Sequence, residues 1–505
     1  MKRKVILILL SFILLLPFQV HAGSLGKGTP STNPGEWFVG PTPSTIDPNK
    51  APIVFVHGYN SSSDTWRVDN DMDELAYQYG YQTAFINLYP DKNMWNNGSL
   101  LAQKLGEIYT YFGNKKLVVV SHSKGGVDTQ SAIVHYGAYP YVKRVITLGS
   151  PHHGTEIANL AYSSWASWLA GLLGSKNDAT YSLQTGYMQN FRSQTDTHAN
   201  VSKVPFYTMA GKKWGSFGSA LYFGGLYLSS YGDNDGLVTV NRAKLPTGTV
   251  IRVGDWNHTT IKTGSYTFSY IRPYLTASTL QSDWDQDIEL YQEERKDAIQ
   301  TYYRGGEIKG RGSESFYVEE GVQNLYIDWM SNKRDSKITL IDPKGNRYTN
   351  FNKAQDESNF FNGAHHYYLN LKDPIQGKWT IVSENSKEAY LLQVGFDSAF
   401  NNELQISTLG SGGIQISNTS NVIDLANINV SVSIEFKDMK NLVEKSAKMV
   451  NKSAASPINL GIFGEGVYNV TIDITGKTKT GKPFNRTFID SVYINPNHVI
   501  KLLTP

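Results

Sequence analysis

Leu117-Val118-Val119-Val120-Ser121-His122-Ser123-Lys124-Gly125-Gly126 decides the fold of this chain. Four consecutive apolar residues, three of them β-branched, predict a strand covered on both faces, as in a parallel sheet between helices. A polar turn and two glycines follow, and Val127-Asp128-Thr129-Gln130-Ser131-Ala132-Ile133-Val134 can continue as a helix. A strand, a tight turn and a helix with a serine at the tip make the context of a nucleophile elbow. The strained turn lifts the hydroxyl of Ser123 above the sheet edge, and small neighbours let strand and helix approach. The usual pattern is G-x-S-x-G. Gly125 fills its last position, whereas Ser121 stands where the first glycine is expected.

Working outward, short apolar strands alternate with amphipathic helices from Ile53 to about Leu275. Ile53 to Val56, Gln82 to Leu88, Val142 to Leu148, Phe206 to Ala210 and Val250 to Val253 read as strands. Asp71 to Tyr79 reads as a short helix. Ser99 can cap another, running to Phe112 with Leu101, Leu105, Ile108, Tyr109 and Phe112 on one face. This alternation predicts an α/β fold with a mainly parallel sheet over residues 53–277. Residues 23–52, rich in Gly, Pro, Ser and Thr, read as an extended lead-in.

The N-terminus has a basic start, Met1-Lys2-Arg3-Lys4, and an apolar run from Val5 to Leu16. Small residues precede a cleavage point after Ala22. Residues 1–22 are therefore expected to be a secretory signal peptide, and the protein to be exported. No later stretch reads as a membrane span. With 505 residues the chain needs several cores, and with no cysteine none of them is held by disulfides. Lys2, Arg3 and Lys4 account for the whole excess of 47 basic over 44 acidic residues. A mature chain without net charge gives no reason to expect nucleic acid or anionic membrane as its partner.

The pattern changes after Ala277. Residues 278–304 read as a charged helical connector, with Asp283, Asp285, Asp287 and Glu289 suited to a helix N-terminus. Their spacing has the look of a calcium loop, but Ile288 occupies the place of the required glycine. Residues 305–400 and 401–505 show alternating strands between turns and are expected to be two all-β sandwich domains. His365 and His366 sit on one strand and point to opposite faces, which argues against a shared metal.

A serine nucleophile needs a base, and the base needs a carboxylate. On an α/β sheet of this kind the acid and then the base follow the serine along the chain. Asp235, in Gly232-Asp233-Asn234-Asp235-Gly236, is the best acid, with Asp233 as a rival that lacks the following glycine. His258, after Val253-Gly254-Asp255-Trp256-Asn257, is the best base. His152, His153 and His198 all precede the acid. The oxyanion needs two backbone donors. These are expected from Lys124, directly after the nucleophile, and from Tyr59, in Val56-His57-Gly58-Tyr59, with His57 holding that loop.

Together, Val56 to Tyr59, Ser121 to Gly126, Gly149-Ser150-Pro151-His152-His153-Gly154-Thr155, Asp235 to Val238 and Asn257-His258 resemble secreted bacterial lipases of the α/β-hydrolase family. The resemblance covers about half the chain. It implies an α/β-hydrolase domain, a Ser123–His258–Asp235 triad and hydrolysis of carboxylic esters through an acyl-enzyme. It also implies a helical cap at about residues 155–192. There Trp165, Trp168, Leu169 and Leu172 recur at helical spacing, as a buried packing face or as a lid presenting an apolar patch to lipid. Many lipases of this group hold the histidine loop with calcium through an aspartate after the histidine. Thr259-Thr260-Ile261 follow His258 here, so no metal is expected there, and no cofactor is implied.

The expected function is a secreted triacylglycerol lipase or carboxylesterase, with a lipid or other ester as substrate. A polyester depolymerase or a phospholipase is the alternative within ester chemistry, since trailing β modules can bind polymers or surfaces. An exported binding protein with a vestigial hydrolase domain is the alternative of another class.

Overall fold

The computed structural model describes residues 32–276 and 299–495, apart from 357–359, 410–412, 420–421, 424, 426–427, 440–442 and 452–457. The expected signal peptide, 1–22, and the connector up to residue 298 lie outside the described residues.

The first half is a seven-stranded sheet of β1 (Trp37–Val39), β2 (Ile53–Val56), β3 (Thr83–Ile86), β4 (Leu117–His122), β5 (Val142–Leu148), β6 (Phe206–Gly211) and β7 (Thr249–Gly254). Their order is β1-β3-β2-β4-β5-β6-β7, with β1 antiparallel to β3 and every other pairing parallel. All six residues of β4 are buried. Side-chain alternation splits them: Val119 joins Val54, Ile86, Leu105 and Ile133 on one face. Val118 and Val120 join Phe55, Phe85, Met209 and Ile271 on the other.

Among the described residues, ten α-helices accompany this frame: α1 (Met72–Gln78), α2 (Met94–Tyr111), α3 (Lys124–Val134), α4 (Glu156–Ala161), α5 (Ser167–Leu172), α6 (Asp178–Ser182), α7 (Thr185–Thr195), α8 (Ala220–Leu228), α9 (Val240–Ala243) and α10 (Gly264–Ile271). Helix α2 begins five residues before the expected Ser99. Asn93 caps it, its side chain accepting from the amides of Trp95 and Asn96, so the polar Asn93 rather than Ser99 ends the turn.

The lead-in of residues 23–52 is not wholly extended coil. Trp37-Phe38-Val39 pair with Ile86-Phe85-Ala84 as the sheet edge. Phe38 and Val39 are buried there, and Phe38 stacks on Phe85. Three apolar residues inside a Gly- and Pro-rich segment are too short a run to declare a strand without their partner.

The second half is antiparallel throughout. Strands β8 (Gln300–Val318), β9 (Asn324–Ser331), β10 (Ile338–Ile341), β11 (Arg347–Tyr348), β12 (Asn352–Gln355), β13 (His365–Lys372) and β14 (Gly377–Asp397) form one seven-stranded sheet. Residues from β8, β9, β10, β13 and β14 meet in a single core around Phe316, Trp329, Trp379 and Leu392. The last five residues expected in the helical connector, Gln300 to Arg304, are strand instead, paired with Leu392 to Phe396 of β14. Their aromatic pair decides it: Tyr302 enters the β core, and Tyr303 is buried against Tyr227 of the first half.

Beyond residue 403 lie β15 (Leu404–Leu409), β16 (Gly413–Asn418), β17 (Asn429–Lys437), β18 (Glu444–Asn451), β19 (Ile458–Asn459), β20 (Gly466–Lys477) and β21 (Pro483–Ile494). A sheet β18-β17-β20-β21 and a sheet β15-β16-β19 share a core of Ile416, Val432, Ile434, Tyr468 and Ile472, which is a two-layer sandwich.

The two halves are joined by specific contacts. Thr185 Oγ1 donates to the Ser491 carbonyl at 2.8 Å, and Tyr231 donates to the Ile489 carbonyl at 2.8 Å. Asn469 Nδ2 donates to the Asn159 carbonyl at 2.8 Å. Trp165 Nε1 lies 3.1 Å from the Asp473 carboxylate. The cap stripe is thereby divided. Leu169 is buried, Trp165 faces the β modules, and Trp168 and Leu172 are 61% and 59% exposed.

Candidate active site

Strand β4 ends at His122, and α3 begins at Lys124, so Ser123 alone makes the turn. Its backbone has φ 53°, a left-handed conformation that a non-glycine residue adopts only when its surroundings hold it there. The Ser123 amide donates to the Leu148 carbonyl at 3.0 Å, and its carbonyl accepts from the Gly126 amide at 3.0 Å. Gly125 is required by crowding, because a Cβ there would sit 2.3 Å from the His57 carbonyl oxygen. The departure at Ser121 is accommodated: the side chain is fully buried, with Oγ 3.4 Å from the Ile146 carbonyl.

His258 Nε2 lies 3.0 Å from Ser123 Oγ, and His258 Nδ1 lies 2.7 Å from Asp235 Oδ2. The other carboxylate oxygen, Oδ1, accepts from the amides of Leu237 and Val238 at 2.9 and 2.8 Å. With Oδ2 thus left to accept, Nδ1 carries the imidazole proton and Nε2 presents a lone pair to the hydroxyl. The structure therefore brings Ser123, His258 and Asp235 into one hydrogen-bonded line. His152 is fully buried, 3.1 Å from Thr147 Oγ1, and His198 meets His135 edge to face.

The loop after β2 lies directly over the serine. A Cβ on Gly58 would come within 2.7 Å of Ser123 Cβ, so only glycine fits. His57 holds this loop: Nε2 accepts from the Leu88 amide at 2.9 Å, and Nδ1 donates to the Gly58 carbonyl at 2.8 Å. Burial lowers its pKa to about 4, so it stays neutral, as those two bonds require. Tyr59 comes next, and Lys124 opens α3, where first-turn amides have no carbonyl partner within the helix. Their two N–H groups belong to the segments that flank Ser123.

Two braces escaped the sequence reading. His122 Nε2 donates to the His258 carbonyl at 2.8 Å, and the two rings lie 4.7 Å apart. Burial holds the His122 pKa well below its ordinary value. Lys124 turns its side chain away from the cleft into the protein, where Nζ meets Asp128 at 2.6 and 2.9 Å. Asn97 Nδ2 donates to the same carboxylate at 2.9 Å. Burial pulls the Lys124 pKa down and pushes the Asp128 pKa up, while their pairing opposes both shifts. The i, i+4 spacing of Lys124 and Asp128 was the available signal.

The His258 loop is tied by its own turn. Asn257 Oδ1 accepts from the amides of Thr259 and Thr260, and the His258 amide donates to the Asp235 carbonyl at 2.9 Å.

A cleft of about 380 Å³ opens at His258, bordered also by Gly58, His122 and Leu237. Gln355, at the end of β12 in the far half of the chain, forms part of the same cleft. A larger cavity of about 660 Å³ beside His365 and Tyr367 does not reach His258, so the chemistry belongs to the smaller one.

The chain matches no protein-family model and no curated protein sequence. Among solved structures it is similar to the Bacillus licheniformis lipase BlEst2 in its propeptide form, at 44% identity and a TM-score of 0.80. That match covers 92% of this chain and 98% of the other. The mature form of BlEst2 is 57% identical over 48% of this chain and 99% of its own, with a TM-score of 0.47. The metagenomic carboxyl esterase MGS0156 is 20% identical over 47% of this chain and 80% of its own, with a TM-score of 0.37.

Proposed function

The chain belongs to the α/β-hydrolase family of lipases and carboxylesterases and is a carboxylic ester hydrolase, and from that premise we propose that Ser123, His258 and Asp235 are its catalytic triad. The hydrogen-bonded line from Ser123 Oγ through His258 to Asp235 carries this reading. His258 Nε2 takes the hydroxyl proton as Ser123 Oγ attacks the ester carbonyl carbon. The oxyanion that forms accepts from the amides of Tyr59 and Lys124. Collapse breaks the bond to the leaving oxygen, His258 gives that oxygen its proton, and the alcohol departs. Water then attacks the acyl-serine with His258 as base, and the second collapse returns the proton to Ser123 and frees the carboxylic acid. Asp235 holds the imidazole tautomer and stabilises the imidazolium in both halves.

The substrates are lipid esters, reached outside the cell after export directed by residues 1–22. The protein is made as a precursor whose β modules cover the site. The similarity to a lipase in propeptide form over 92% of this chain supports this, as does the entry of Gln355 into the catalytic cleft. The same contact weighs against polymer binding through that surface, because it is turned onto the enzyme.

Ser123→Ala should abolish both turnover of p-nitrophenyl esters and labelling by a fluorophosphonate. Retention of either would overturn the triad. In a secreting host, the active species in the medium should have lost the mass of the β modules. Full-length protein with undiminished activity there would overturn the precursor.

A further inference from the structure

Next to the catalytic cleft the β modules insert two phenylalanines, Phe360 and Phe361, from the turn between β12 and β13. Phe360 packs against Tyr59, with ring centroids 5.2 Å apart. Phe361 enters a recess lined by Ile157 and Leu160 of α4, Ala220 and Phe223 of α8, and Leu237. Both phenylalanines are 4% exposed and share one apolar cluster with Tyr59, Ile157, Leu160 and Leu237. Ala220 and Leu237 border the catalytic cleft as well, so recess and cleft adjoin across these two residues.

We propose that this recess, running from Tyr59 past Leu237 to Ile157 and Leu160, is the acyl-binding trough of the enzyme, and that Phe360 and Phe361 occupy it as internal stand-ins for a linear aliphatic acyl chain. The inference rests on the reading of Ser123 as the nucleophile. The chemistry of the two sides assigns the occupant. A leaving alcohol must take its proton from His258, so it departs on the side of Asn257, His258, Thr259 and Lys262, where the cleft wall is polar. The acyl part lies across the reacting carbon from the leaving oxygen, toward the apolar wall. On that side the first half of the chain contributes aliphatic and aromatic side chains, which the two phenylalanines cover together with Met330 and, on the face of Phe223, His366. An apolar recess beside a reacting centre favours a chain of methylenes over a short or polar acyl group.

The inferred trough separates two effects of the β modules: covering the serine, and filling the acyl site. In the full-length chain, Phe360→Ala/Phe361→Ala should raise the ratio of kcat/KM for p-nitrophenyl octanoate to that for p-nitrophenyl acetate by about tenfold. Adding Leu160→Trp in that background should refill the trough and bring the ratio down again. Phe360→Leu, a milder change that keeps the interface apolar, should move the ratio in the same direction by a smaller factor. A ratio left unmoved, or equal gains on both esters, would overturn the trough. So would a gain confined to octyl acetate, which would place the alcohol there. Fluorophosphonate labelling of the same proteins distinguishes the two readings: a labelled Ser123 with an unmoved ratio removes the trough alone. No labelling and no acetate hydrolysis even after the β modules have been cleaved away removes the triad, and the trough with it.

Discussion

Phe223 of α8 and His366 of β13 stack face to face across the junction of the two halves, with ring centroids 4.6 Å apart and planes 12° from parallel. His366 Nδ1 lies 2.7 Å from Asp328 and Nε2 lies 3.1 Å from Asp356, all three being buried. Both ring nitrogens face carboxylates, so the ring is held as an imidazolium against an aromatic face. Burial alone would lower its pKa, but the two aspartates outweigh burial and raise it to about 10. Burial also holds the Asp328 carboxyl above its ordinary range.

The sign of the pH effect follows from this ion triad. The folded chain holds the His366 proton more tightly than the unfolded chain does. Its contribution to stability is full below about pH 6.5 and is lost as pH rises through about 10. The melting temperature of the full-length protein should therefore fall between pH 6.5 and 10. His366→Asn should flatten that slope and lower stability by about 3–5 kcal/mol, since it takes the cation away from the buried Asp328 carboxylate. Thermal unfolding followed by circular dichroism over this range is the measurement.

Asp235→Asn tests the orientation of the base. The carbonyl oxygen of the amide can replace only one of the two carboxylate oxygens that now accept from Leu237, Val238 and His258. The imidazole then loses its fixed tautomer, and kcat on p-nitrophenyl butyrate should fall by about 10⁴-fold. Asp233→Asn should have a far smaller effect on the same assay, because it is Asp235 that meets His258.

Gly58→Ala should lower kcat without removing the triad. The added Cβ would meet Ser123 Cβ at 2.7 Å, and the loop carrying the Tyr59 amide has to move. Loss of one oxyanion donor costs about 10²–10³ in kcat. Steady-state kinetics combined with fluorophosphonate labelling would separate this from loss of the nucleophile, since Ser123 should still label.

Lys124 and Asp128 form a double-mutant cycle. Asp128→Ala leaves the ammonium of a side chain that is 1% exposed without its partner and should cost about 3–5 kcal/mol. Lys124→Met with Asp128→Leu removes both charges at similar volume and should recover most of that loss. Chemical denaturation of the wild type, Lys124→Met, Asp128→Leu and the double variant gives the coupling. The double variant should keep esterase activity, because Lys124 is proposed to serve the oxyanion through its backbone amide.

How far the sequence could be read depended on where each signal lay. The run Leu117 to Val120 is unbroken and apolar because β4 is covered on both faces, so it declared a central strand by itself. Ser123 and His258 could be anticipated because they follow β4 and β7 at one edge of the sheet, and Asp235 by its chain order and the glycine after it, although it lies in a turn between α8 and α9 rather than at a strand end. The start of α2 is not legible in sequence because Asn93 and Ser99 are equally good caps, and only the folded chain shows Asn93 accepting from the amides of Trp95 and Asn96. Strand β1 and the start of β8 were missed because a short edge segment shows its pairing only beside its neighbour. His122 could not be recognised as a brace, since its partner is the carbonyl of a residue 136 positions away.

What the sequence determined by itself was local: a strand–turn–helix with Ser123 at its tip, an acid and a base in order, and β-type alternation beyond residue 305. Such features rest on periodicity and turn chemistry within a few residues, which a chain carries wherever it is. Only the tertiary structure decided that Gln355 enters a cleft built by the first half of the chain, that Phe360 and Phe361 pack beside it, and that the cap stripe is divided between core, module and solvent. Those relationships depend on how two independently cored halves pack against each other. Side chains at such a junction carry no periodicity of their own, so Phe360-Phe361 reads in sequence as any other apolar pair.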